Sequence, residues 1–236
     1  MKKTAFTLAE VLITLGIIGV VAALVMPSLI ANYKEKQTVV RLKKAYSILS
    51  QAYQRAVNDN GTPDNWGLVT GKPGGNIILG NLAPYLNIQE NCGTDPGCFP
   101  SSGYKYLSGP ASPAPTADMA KAVLADGTSI YLTVVDATCS SNLGNSPMLA
   151  NYCGWIYVDI NGLKSPNQVG KDLFVFTVTR SGIVPNGVQD ETTYPFNSSC
   201  QTNSNGVGCT AWVIFNENLD YLHCNDLSWE GKTRCN

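Results

Sequence analysis

The 236 residues predict an α+β protein: one long N-terminal helix backing an antiparallel β-sheet head. Three observations carry this expectation. An apolar run of membrane-spanning length opens the chain, a helical apolar stripe follows it, and β-rich segments punctuated by Gly and Pro fill the rest. Only 14% of the residues are charged and the net charge is −1, so there is no overall basic field to hold nucleic acid. The balance is uneven along the chain. Residues 1–55 hold eight Lys/Arg against two acids, and residues 56–236 hold eight against fifteen, as expected of two regions with different surroundings. The single histidine, His223, excludes multi-histidine metal sites and leaves one base for Ser/His/Asp or Cys/His catalysis. No P-loop, G-x-S-x-G or H-E-x-x-H motif is present, so the chain does not read as an enzyme. His223, beside Cys224, reads as a surface or packing residue.

The first element starts with a short basic leader, Met1-Lys2-Lys3-Thr4-Ala5, followed by FTLAEVLITLGIIGVVAALVMPSLI over residues 6–30. From Val11 to Ile30 there are twenty uncharged residues, the length a helix needs to cross the hydrocarbon core. A secretory signal cut after Ala23 fits this stretch poorly, because the apolar run continues past that point and a carboxylate interrupts its start. That carboxylate, Glu10, costs about 2.5–3.5 kcal/mol if it enters the bilayer unpaired, so it needs a partner. Cleavage between Ala5 and Phe6 creates an α-amine four residues before Glu10 on the same helical face, largely protonated near neutral pH. Pairing with Glu10 of the same chain or of a neighbour then follows, and pairing between chains fixes their register.

Lys2-Lys3-Thr4-Ala5 followed by Phe6-Thr7-Leu8-Ala9-Glu10 and the apolar run resembles the class III leader of type IV pilins and type II secretion pseudopilins. The resemblance implies a prepilin peptidase that cuts between Ala5 and Phe6 and methylates the Phe6 amine, with Glu10 setting register in a helical filament. The family usually has Gly before the cut; Ala5 is a tolerated variant. Further implied partners are other pilin or pseudopilin subunits, an inner-membrane assembly platform and the lipid bilayer. The motif covers about thirty residues, which divide into a leader at 1–5 and a transmembrane and assembly helix at 6–30. Within that helix Gly16 and Gly19 suit close helix packing, and Pro27 is expected to kink it.

The helix continues as an amphipathic segment over 31–60. Val39, Leu42, Ala45/Tyr46, Leu49, Ala52/Tyr53 and Ala56 form one stripe, with the basic residues mostly off it on a solvated face. Asn60-Gly61 and Pro63 give the stop, for a helix of roughly 80 Å. Beyond it, residues 61–236 read as an extracytoplasmic head. Asn76–Leu86 predicts a short helix, and Ala122–Ala125 with Thr128–Val135 a hairpin turning at Asp126-Gly127. Residues 154–160, 172–179 and 210–215 read as strands. Strands laid on the helical stripe match the type IV pilin layout that the resemblance implies.

All eight cysteines lie in this head, which indicates an oxidising compartment and places the C-terminal side outside the membrane. They allow 105 pairings. Spacing favours local bridges, Cys92 with Cys98, Cys139 with Cys153, Cys200 with Cys209 and Cys224 with Cys235, across loops too polar to order themselves by burial. No C-x-x-C is present. Asp159, Asn161 and Asp172 carry the hard oxygens calcium prefers, in a loop placed before a strand much as in major pseudopilins. An Asn-Gly turn closing on its own backbone explains the same residues, so the cofactor expectation is none, with calcium as the one candidate.

The expected function is a structural subunit: a bacterial inner-membrane, single-pass protein that joins an extracytoplasmic filament. A type II secretion pseudopilin leads. A minor type IV pilin with an adhesive or binding head, and an anchored binding domain that does not polymerise, are the alternatives.

Overall fold

The computed structural model describes residues 7–235. The chain divides after Gln37 into two units. One helix, α1 (Leu8–Asn60), runs through both of them, and it continues on either side of Pro27 even though proline supplies no backbone N–H there.

In the first unit the apolar side chains of the helix point outward on every side: Leu8 is 81% exposed and Leu24 75%. This is the described segment long and apolar enough to cross a membrane, with none of its apolar window buried.

The second unit takes in α1 from Thr38 onward together with the head. Val39, Leu42, Ala45, Leu49, Ala52, Tyr53 and Ala56 are the buried residues of α1, mostly at steps of three and four that keep one face inward. A helix α2 (Gly74–Leu82) follows, then β1 (Ile88–Gly93), β2 (Ala120–Leu124), β3 (Ser129–Val134), β4 (Tyr152–Asp159), β5 (Leu173–Thr179) and β6 (Ile183–Pro185). These six strands form one sheet in sequence order, every neighbouring pair antiparallel.

Strand alternation sorts the side chains onto two faces. Ile130, Leu132, Ile156, Val158, Phe174, Phe176 and Val178 share a core with the α1 stripe. Tyr46 of α1 stacks on Phe176 with ring centroids 5.5 Å apart, and the Tyr53 hydroxyl donates to the carbonyl oxygen of Thr179 at 2.8 Å. Tyr131, Tyr157, Leu173 and Val175 point the other way, into a second cluster closed by Tyr104, Met119 and Val169 from the connecting loops. Both faces of β3 and β5 are buried, so neither strand shows an apolar-in, charged-out alternation. Two members of the basic run anchor α1 to the head: Lys43 pairs with Glu217, and Lys44 with Asp126 at 2.8 Å.

One expected strand is a helix. Residues 210–215 lie in α4 (Thr210–Asn216), preceded by a short helix α3 (Phe196–Ser199). Thr210 to Ile214 are all buried, so no polar face interrupts the run and its period cannot be read. Trp, Val, Ile and Phe favour strands in isolation, but packing decides here: Trp212 stacks on Phe196 at 4.0 Å and its indole N–H donates to Asn218 Oδ1 at 2.9 Å. Strands β1 and β6 are additions, the first polar and half exposed, the second three residues long.

Candidate functional site

Ala5 and Phe6, the expected cleavage pair, lie outside the described residues. The helix start immediately after them is described. Thr7 is the N-cap of α1: its backbone N–H and its hydroxyl both donate to Glu10 Oε2 at 2.8 Å, and the Glu10 N–H donates back to Thr7 Oγ1 at 3.3 Å. This reciprocal capping box has a sequence signature, Thr7-x-x-Glu10, which a reading of Glu10 as a bare charge in need of an ion-pair partner does not include. It gives Glu10 a local partner within the single chain.

The four disulfides join nearest neighbours: Cys92–Cys98, Cys139–Cys153, Cys200–Cys209 and Cys224–Cys235. Glu90 lies beside the first of them, but both sulfurs are bonded to one another, so this cluster offers no thiolate to a metal. His223 is exposed on the turn after Asp220–Leu222.

Asp159, Asn161 and Asp172 come together at one end of the sheet. Asp159 ends β4 opposite Ser129 on one side and Leu173 on the other, so the β4–β5 hairpin delivers Asp172 to it. The Asn161 N–H donates to Asp159 Oδ1 at 3.1 Å, an Asx bond of the kind an Asn-Gly turn predicts. Gly162 follows at φ 69°, with the Gly127 carbonyl 2.7 Å from where a Cβ would sit. Asn161 Nδ2 donates to Asp172 Oδ2 at 3.1 Å, the Asn167 N–H to the same oxygen at 2.8 Å, and the Gln168 N–H to Asp172 Oδ1 at 2.6 Å. From the second core, Tyr104 donates to Asp159 Oδ2 at 2.8 Å and lies 2.7 Å from the Tyr131 hydroxyl.

Both carboxylates are buried, and among the described residues no ion pair engages either. Burial, then the neighbouring Asp172 charge, pushes Asp159 up to about 8. Burial also raises Asp172, against the Gln168 and Asn167 N–H groups that favour its charged form. Such a pair calls for one proton or a cation to neutralise it. Asn161 Oδ1 and Asn167 Oδ1, in the same loop, are buried without hydrogen-bond partners. Two carboxylates and two unclaimed amide oxygens are the hard oxygen chemistry that a cation such as calcium takes. The sequence pointed to three of these residues; Asn167 lies in the same loop, whereas Ser129 and Tyr104 come from other segments and carry no local signal.

Comparison with known proteins adds one finding: residues 28–74 match a family of unknown function, DUF6613. That stretch covers the later part of α1 and its exit into the head, a minor share of the chain. No curated protein and no solved structure matches the chain at a significant level.

Proposed function

We propose that the chain is a pilin-like structural subunit, cleaved between Ala5 and Phe6 by a prepilin peptidase and methylated at Phe6. It then joins an extracytoplasmic filament from the inner membrane. A type II secretion pseudopilin is the reading the residues support best. One observation carries it: a helix uncharged and exposed from Val11 to Ile30 opens on a single carboxylate, Glu10, and passes directly into a disulfide-linked head. Side chains so exposed require lipid or neighbouring helices around them. Other pilin-like subunits and an assembly platform are the partners this implies. We further propose that Asp159, Asn161 and Asp172 hold one calcium ion, which neutralises the buried pair and ties the β4–β5 loop to β3.

The Thr7 capping box favours a second reading. Because Glu10 is satisfied within its own chain, an anchored binding domain that does not polymerise is the alternative it favours, and a minor type IV pilin with an adhesive or binding head is the alternative among filament subunits. Mass spectrometry of protein extracted from its native membrane tests the first step: an N-methylated Phe6 supports prepilin processing, whereas a start at Leu24 or an uncut Met1 overturns it. Cross-linking in the membrane then separates a filament, which Glu10→Ala abolishes, from persistent monomers.

A further inference from the structure

A cleft of about 300 Å³ opens between the loop around Gln189–Asn197 and the segment Ser228–Glu230, and neither Asp159 nor Asp172 lines it. Three of the residues that line it are acidic, Asp190, Glu191 and Glu230, and none is basic. Among the described residues no ion pair involves any of the three. Asp190 and Glu230 are exposed at the rim. Glu191 is only 4% exposed: it accepts the Gly187 N–H on Oε2 at 2.5 Å, feels a weaker pull from the Tyr194 N–H, and leaves Oε1 without a hydrogen-bond partner. A buried carboxyl with one unpartnered oxygen, beneath two exposed carboxylates at the rim and with no cation in the lining, makes this a cleft that favours a positive charge.

The rest of the lining says which kind. Trp229 supplies the partly exposed aromatic ring of the wall, backed by the buried Phe196 at 5.9 Å between ring centroids, and it is held in place by its N–H donating to the Gly187 carbonyl at 3.0 Å. Aromatic faces attract cations and also cover apolar carbon. The three carboxylates do not converge within metal-ligand distance of one another, as a bare ion requires. A cation with length, whose stem lies on the rings while its head reaches the rim, has no such requirement.

We propose that this cleft binds an ammonium or guanidinium group on an apolar stem, the chemistry of a lysine or arginine side chain. Free polyamines and basic side chains of a polypeptide share that chemistry. The experiment uses the full chain in dodecyl maltoside and follows Trp fluorescence together with titration calorimetry. The probes are Nα-acetyl-lysine methylamide, Nα-acetyl-arginine methylamide and putrescine, with Nα-acetyl-norleucine methylamide as the neutral control and calcium chloride as the metal. A basic probe is expected to saturate and to bind at least about tenfold more tightly than the norleucine analogue. The double variant Asp190→Asn, Glu230→Gln, altered only at exposed positions, should weaken it by about tenfold, and Trp229→Phe by less. Tighter putrescine binding identifies a free amine as the source, and tighter binding of the capped amino acids a polypeptide. Equal binding of norleucine, no saturation with any basic probe, no effect of the double variant, or calcium displacing the probes at equal concentration would each overturn the proposal.

Discussion

Replacing Asp159 by Asn removes one charge from the buried pair while keeping its size, and the sign of the result depends on what normally neutralises that pair. In a chelator the folded chain keeps a proton on Asp159, because burial and the adjacent Asp172 raise that carboxyl to about 8 from 3.8. An acid whose folded pKa is raised contributes stability that is present at low pH and lost as pH rises towards the folded value. Between about pH 5 and 7 this one group should lower stability by about 1.4 kcal/mol per pH unit. Glu191, raised by burial to about 7, slopes the same way below its own value, so the difference between wild type and variant isolates Asp159. The carboxamide of the Asp159→Asn variant needs no proton, and it still serves one of the two donors, Tyr104 and Asn161. Relief of the ionisation cost less one misplaced hydrogen bond leaves Asp159→Asn more stable than wild type by roughly 2–3 kcal/mol at pH 7 in chelator.

Calcium should invert that order. A site filled at a thousand times its Kd adds about 4.1 kcal/mol to the wild type and little to a variant that has lost a charged ligand. Urea unfolding of the detergent-solubilised chain reports this directly, since Trp66, Trp155, Trp212 and Trp229 all lie in the head. Parallel pH slopes for wild type and Asp159→Asn in chelator would refute the proton on Asp159. Equal calcium responses in the two would refute calcium at this loop.

Leu49 of the α1 stripe is fully buried, so Leu49→Ala should cost roughly 2–5 kcal/mol in the same urea assay, while exposed Val40→Ala changes little. Lys121 is buried with its ammonium donating to the carbonyls of Ala117 at 2.6 Å and Gly93 at 3.3 Å; Lys121→Met strands both and should cost about 1–3 kcal/mol. The double change Cys139→Ala, Cys153→Ala opens a buried bridge and is expected to lower head stability by roughly 2–5 kcal/mol, read as an earlier urea midpoint. At Gly187, φ is 87° and an added Cβ would sit 1.8 Å from the Gly208 carbonyl oxygen, so Gly187→Ala should displace the Glu191 loop and shift Trp229 fluorescence.

Where sequence and structure agree, the signal was periodic or local. The α1 stripe from Val39 to Ala56 repeats every three or four residues over several turns, and the structure buries that set. The hairpin at Asp126-Gly127 combined turn chemistry with apolar flanks, and nearest-neighbour cysteines closed loops short enough to bridge. Agreement fails where tertiary packing replaces local pattern. Residues 210–215 present an apolar run with no period, so Trp212 and its neighbours look like a strand until Phe196 and Asn218 are known to surround them. Polar β1 joins the sheet by pairing with β2, not by any apolar alternation of its own. The same limit governs the two acidic sites. Asp159 and Asp172 stand out because they bracket one hairpin, but Tyr104 and Ser129 reach them across long sequence separations, and no local pattern marks the orphaned oxygens of Asn161 and Asn167. Glu191 and Trp229 are nearly forty residues apart with no motif between them, and only the loop that hangs both on Gly187 makes one cleft of them.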